Sequence, residues 1–233
     1  MQRHLDQELQ TLNTDLLKMA ALTEESIHKC VEALKTRNAE LAKEVVGNDQ
    51  QIDDLENKIE EESIELLALF QPMANDLRFI TTGMRISTDL ERIADLTVNI
   101  SQRVVDLSDK PLLKPLVEIP KLGDVAKRMV RTAIDAFVKR SEDLAKSVIF
   151  SDKEADELRT VIMKELIYDY MVKDGTTAPR AVPLLLIARD LERICDHATN
   201  IAEDVIYMIN AKIVKHHLEE LIYVYKKIDR KDA

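Results

Sequence analysis

Glycine and proline are scarce, with 4 and 6 copies among 233 residues. Large sheets with many tight turns need more of both, as do collagen-like and linker-dominated chains. The two cysteines, Cys30 and Cys195, make no disulfide framework, and the expected setting is a reduced cytoplasm. Long apolar runs are missing. The longest, 181–188, has eight residues and contains Pro183, whereas a membrane span takes about 20. The opening MQRHLDQELQ lacks the apolar stretch of a secretory signal. A basic excess is missing too. Lys and Arg number 33 against 43 Asp and Glu, a net charge of −10, so nucleic acid is not an expected partner. There is no Gly-rich phosphate loop, Gly-x-Ser-x-Gly elbow or Cys-x-x-Cys.

What is present is helix-forming. Ala, Leu, Glu, Lys, Met and Ile dominate, with apolar residues at three- and four-residue steps. The pattern predicts helices at 4–36, 39–70, 75–108, 121–149, 153–173 and 180–212, and a short helical tail over 212–227. Gln71-Pro72 and Asp174-Gly175-Thr176-Thr177 interrupt the pattern, and Gly47-Asn48 is placed to kink or split the second helix. Pro111, Pro115 and Pro120 fall within ten residues, which makes 108–120 the expected boundary between domains 1–110 and 111–233.

The two halves repeat each other. Residues 89–104 read DLERIADLTVNISQRV and 190–205 read DLERICDHATNIAEDV, identical at nine of sixteen positions. Upstream, LAKEVVGNDQQIDDL at 41–55 matches LAKSVIFSDKEADEL at 144–158. The offsets are 101 and 103. Two matched segments in the same order are not a chance product of amphipathic helices. The expected fold is therefore all-α, two tandem three-helix bundles related by an internal repeat. Ile86, Leu90, Ile93, Thr97, Ile100, Val104 and Leu107 step by four and three, as do Ile187, Leu191, Ile194, Ala198, Ile201, Val205 and Met208. These are bundle seams. Burying each large apolar member is worth about 1.5–3 kcal/mol.

Four acid-x-x-x-Asp pairs occupy equivalent places: Asp49/Asp53 and Glu91/Asp95, then Asp152/Asp156 and Glu192/Asp196. Residues four apart stand above one another on a helix, and like charges there repel by a few tenths of a kcal/mol. One reading is a metal site, since hard cations take carboxylate oxygens; Asn99 and Asn200 would extend each stripe. The other is solvated charge neutralised by Arg92 and Arg193. At about 100° per residue these acids point away from the seam, so any ion would lie on the outside of the bundle.

Other candidates are weaker. Glu25-Ser-Ile-His28 is a single Glu-x-x-His, and a ferritin-like di-iron centre needs two. His197 adjoins Asp196, but the repeat places Leu96 there, so it reads as a rim histidine. His216 and His217 read as solvated tail residues. Cys195 matches Ala94 and reads as a packed small residue.

In Asp89-Leu-Glu-Arg-Ile-Ala-Asp95, in Asp190-Leu-Glu-Arg-Ile-Cys-Asp196, in Gln71-Pro-Met-Ala-Asn-Asp-Leu-Arg78 and in the Val-x-x-x-Asp segments at 45–49 and 148–152, the chain resembles the PhoU family of phosphate-signalling regulators. The likeness runs over about 5–215. The family usually has Gly where Ala94 and Cys195 stand. The resemblance implies a cytoplasmic, non-enzymatic negative regulator of phosphate uptake and of the phosphate-starvation response. It implies an adaptor between the ATPase subunit of a phosphate ABC transporter and a sensor histidine kinase, reaching the membrane only through those partners, and a homodimer. It also implies metal ions, iron or zinc, on Asp49, Asp53, Glu91, Asp95, Asp152, Asp156, Glu192 and Asp196. The competing readings are a carboxylate-bridged di-metal enzyme and a helical scaffold without metal.

Overall fold

A computed structural model describes residues 2–213, and every element in it is helical. The first unit comprises α1 (Gln2–Thr36), α2 (Ala39–Asn48), α3 (Gln50–Phe70) and α4 (Asn75–Ser108). The second comprises α5 (Glu118–Lys139), α6 (Glu142–Lys164) and α7 (Ala178–Asn210). A π-helical segment, Glu165–Met171, continues α6, and a 3-10 turn, Gly175–Thr177, leads into α7. The predicted tail helix lies beyond residue 213, outside the described residues, as do His216 and His217. Among the described residues no helix is long and apolar enough to cross a membrane.

The breaks between helices have local causes. The predicted second helix is divided at Asn48–Asp49, right after Gly47. Between α1 and α2, Arg37 is left-handed (φ 56°), and Asn38 Oδ1 accepts from the backbone of Glu40 and Leu41, each at 3.1 Å. The predicted helices 121–149 and 153–173 are corrected. The chain instead breaks at Arg140 (φ 47°), and Ser141 Oγ caps α6 by accepting from Leu144 N at 3.3 Å. No Gly or Pro marks that turn. Pro120 does not precede α5 but sits in its first turn, where a missing N–H leaves nothing unpaired.

Pro183 lies inside α7. Lacking an N–H, it cannot serve the carbonyl of Pro179 four residues earlier. Lys110 Nζ donates to that carbonyl at 3.3 Å instead. Arg37 plays a comparable part at the end of α4, where its guanidinium donates to the carbonyls of Leu107 (2.9 Å), Ser108 (2.7 Å) and Lys110.

The seams form the core. All fourteen seam residues are buried except Leu107, which is partly so, and both cysteines are buried with them. The buried apolar cluster is continuous across both units. α4 packs on α7 and α1 on α5. The first of these pairs is antiparallel, because Arg78 near the start of α4 donates to the carbonyl of Met208 near the end of α7 at 3.0 Å. Arg103, late in α4, pairs with the buried Asp190, early in α7. α1 and α5 approach closely at Gly123, where an added Cβ would stand 2.6 Å from Val31 Cγ2.

Candidate metal-binding rims

In each unit the last helix, α4 or α7, packs on the helices before it, α2 and α3 in the first and α6 in the second, with the acids on the outer edge. In the first, α2 and α3 pack on α4, and Asp49 sits at the α2/α3 joint, one turn before Asp53. Asp49, Asp53 and Glu91 are half-buried and Asp95 is exposed. In the second unit Asp152 and Glu192 are half-buried, while Asp156 and Asp196 are exposed. The edge of each bundle therefore carries the carboxylates, and the seams behind them are apolar.

The acids of the two helices share one electrostatic neighbourhood in each unit. Burial, then the Asp53 and Asp95 carboxylates, push Asp49 up to about 6. Burial, then Asp95, Glu56 and Asp53, push Glu91 up to about 7. Asp53 is raised by burial, Asp95 and Asp54. In the second unit burial, Asp196 and Asp156 push Asp152 up to about 6. Glu192 and Asp196 are raised, chiefly by burial, although Arg159 pulls against both. All eight predicted ligands thus fall into two sets of four.

Two charged neighbours of these acids were not singled out in the sequence. Glu56 neighbours the first set: burial raises its carboxyl, and the Asp53 carboxylate raises it further while Arg92 lowers it. Arg159 joins the second, with Nε 3.5 Å from Glu192 Oε1. Both lie three residues past an acid, off the four-residue step, but the 103-residue offset pairs them with each other. The arginines expected to neutralise the stripes act at longer range, Arg92 on Glu56 and Arg193 on Asp196.

Other candidates resolve structurally. Glu25 pairs with Lys29 at 2.7 Å and His28 is exposed, so their Glu-x-x-His builds no buried centre. His197 turns to Asp89 on α4. Burial pushes the Cys30 thiol up to about 12 and raises Cys195 as well, so neither is a ready nucleophile.

Among the described residues no three acid, histidine or cysteine side chains stand close enough to hold one ion as placed. The first rim's donors are all carboxylate oxygens reachable from solvent, a set that suits a hard cation. Asp49, Asp53, Glu91 and Asp95 are the side chains that would hold it.

Two helical units in tandem, α1 to α4 and α5 to α7, each with acid-x-x-x-Asp pairs on its last helix and on the helix packed against it, define a duplicated all-α bundle protein with acidic edges. The family model described as the PhoU domain matches residues 16–104 and, a second time, 119–205. The chain belongs to the PhoU family. It is 42% identical over 217 residues to the phosphate-specific transport system accessory protein PhoU homolog of Aquifex aeolicus, covering 93% of this chain and 98% of that one. It is 36% identical over 216 residues to PhoU homolog 1 of Thermotoga maritima, covering 92% and 93%. The crystal structure of PhoU from Pseudomonas aeruginosa superposes with a TM-score of 0.86 at 36% identity, over 89% of this chain and 99% of that one. The phosphate transport system regulatory protein PhoU from Streptococcus pneumoniae gives 0.83 at 28% identity, over 90% and 99%.

Proposed function

We propose that this protein is a non-enzymatic regulatory adaptor of phosphate transport. In this reading it restrains phosphate uptake and the phosphate-starvation response by linking the ATPase subunit of a phosphate ABC transporter to a sensor histidine kinase. The observation that carries the reading is the end-to-end match to accessory proteins of phosphate transport, which covers 93% of this chain and 98% of the Aquifex protein. The geometry supports it: the carboxylates lie on outer edges suited to ions and protein partners, and the centre is packed with apolar side chains. A di-metal enzyme would need a buried centre with an open metal position and a substrate pocket.

The adaptor works in the cytoplasm, reaches the membrane through its partners and acts as a homodimer. Metal ions, iron or zinc, are held by the acid-x-x-x-Asp rims. When bound, an ion would supply positive charge that lets the half-buried carboxylates ionise together. Asp49 from the α2/α3 joint, Asp53 from α3, and Glu91 and Asp95 from α4 are the residues that would hold it.

Deleting the gene tests the signalling role. Phosphate-uptake genes should be expressed in phosphate-rich medium, and unchanged expression would remove the regulatory reading. Crosslinked co-purification should recover the transporter ATPase or the kinase. Recovery of neither would favour a scaffold, and oxygen consumption by iron-loaded protein would favour an enzyme.

A further inference from the structure

Along α6 the second unit exposes apolar side chains at places where the first unit has none. On α6 and its π-helical continuation Phe150, Val161, Tyr168 and Val172 are 46%, 53%, 64% and 70% exposed. They lie 11, 7 and 4 residues apart, close to whole helical turns, so they line one side of the rod. The 103-residue offset sets Gly47 opposite Phe150 and Lys58 opposite Val161. In the first unit Lys58 reaches from α3 to Asp15 at 2.8 Å and to Glu62 at 3.5 Å. The matching acids of the second unit, Glu118 and Glu165, are both held by Lys114, a buried lysine from the connecting segment. Position 161 is thereby relieved of supplying a cation and carries a valine. Beside it α5 and α6 border a cleft of about 480 Å³, with apolar lining from Val125, Leu158 and Val161. Lys121 and Arg128 stand on its α5 side, Glu154 and Glu157 on its α6 side. Asp124, also on the α5 side, is paired with Lys35 of α1 at 3.6 Å.

We propose that a second copy of this chain docks on this face, about a two-fold axis that sets α5 of each copy on α6 of the other. The proposal gives the homodimer reading above its interface and rests on that reading. The charges argue for the same chain as occupant. A two-fold contact uses one patch twice, so a patch with a basic half and an acidic half complements itself. Lys121 and Arg128 of one copy then meet Glu154 and Glu157 of the other, on both sides of the axis, and the apolar strip between them is covered. Arg128 and Glu154 already meet within one chain at 2.6 Å with both side chains half exposed, so that pair is exchanged between copies at little cost. The dimensions also suit. α5 and the stretch from Phe150 to Val172 are each about 33 Å long and about 10–12 Å wide, roughly 700 Å² side by side. Each partner in a standard interface buries about 800 Å². An apolar centre with a charged rim is the usual anatomy of such a contact, and the rim fixes its register.

The test is the molar mass of the full chain by light scattering over a concentration series, in chelator so that metal cannot bridge copies. Wild type should be a dimer. Val161→Arg/Tyr168→Glu should raise its dissociation constant about a hundredfold or more, and Tyr168→Ala, which adds no charge, about tenfold. Lys121→Glu/Arg128→Glu and Glu154→Lys/Glu157→Lys should each be monomeric. An equimolar mixture of those two should dimerise, because every charge contact across the axis is then acid to base. Gln51→Lys/Asp54→Lys, the same change 103 residues earlier in the first unit, should leave the dimer intact. Circular dichroism should show wild-type helix content in each variant. A dimer that survives both the apolar and the charge variants would leave the homodimer reading standing and overturn this face. So would a mixture that stays monomeric, or dimer loss in Gln51→Lys/Asp54→Lys. Wild type that is monomeric at every concentration would overturn both.

Discussion

His197 Nδ1 lies 2.8 Å from Asp89 Oδ1, joining α7 of the second unit to α4 of the first. The side chains are only 12% and 10% exposed. The first unit has Leu96 where the second has His197, so the contact exists on one side of the antiparallel pair alone. Replacing His197 with leucine deletes Asp89's partner and leaves a nearly buried carboxylate. His197→Leu should lower stability by about 1–3 kcal/mol, read from urea denaturation. Asp89→Leu in addition should recover part of that loss, because no stranded charge remains. A double variant as unstable as the sum of its singles would show that the two do not interact.

The acidic rims give a pH dependence whose sign is set by their raised titrations. Asp49 moves from 3.8 to about 6, Asp152 from 3.8 to about 6 and Glu91 from 4.5 to about 7. The folded protein therefore holds these protons more tightly than the unfolded chain does. Their stability contribution is fully present below the unfolded values of 3.8 and 4.5, and is lost as pH rises through about 6 to 7. Asp49→Asn/Glu91→Gln/Asp152→Asn should gain on wild type in chelator as pH goes from 5 to 8. Denaturation curves that stay parallel across that range would show that the three acids ionise alike in both states.

Gly123 is where α5 meets α1, and Val31 fills the space a side chain would take. Alanine is the better helix former by about 1 kcal/mol, yet a Cβ 2.6 Å from a buried β-branched methyl forces backbone or side-chain shifts. Overpacking of that kind costs about 1–3 kcal/mol. Gly123→Ala should lower the melting temperature, and Val31→Ala in the same chain should relieve part of the loss. At Gly83 the nearest atom is the flexible Leu16 Cδ1 at 3.0 Å, so Gly83→Ala should do far less harm. Equal melting shifts for the two alanines would show that packing does not distinguish them.

Arg37 and Arg140 share a left-handed backbone and equivalent places in the repeat, but glycine should act on them in opposite directions. At Arg140 glycine relieves the strained conformation, for a gain of about 0.5–1 kcal/mol. At Arg37 the same relief is outweighed, since its guanidinium serves three carbonyls at the end of α4. Arg37→Gly should be destabilising and Arg140→Gly stabilising in thermal melts, and two shifts of one sign would contradict that assignment.

The sequence shows the architecture because duplication doubles every signal. The seams at Ile86–Leu107 spacing and at its copy are long, regular and uninterrupted, and they pack as read. The Arg140–Ser141 turn escaped because helix-compatible residues form it: the backbone bends at an arginine, and a serine hydroxyl caps α6. The offset had the answer, placing Arg140-Ser141 opposite Arg37-Asn38. In the rims, the eight acids were visible from their four-residue steps. Which helix faced which was not, since that is set by tertiary packing and not by spacing along one helix. Glu56 and Arg159 stayed hidden for a different reason. Each looks like an ordinary surface charge until its counterpart is set beside it.

Joining the two units through residues 109–117 has a consequence for how they could change. Two separate copies would assemble only as fast as their abundance allowed, and every substitution would appear on both. On one chain each unit meets the other at an effective concentration on the order of millimolar, whatever the expression level. An arginine can then settle in one copy while its sister keeps the glutamate, which gives the molecule the asymmetry of a heterodimer from a single reading frame.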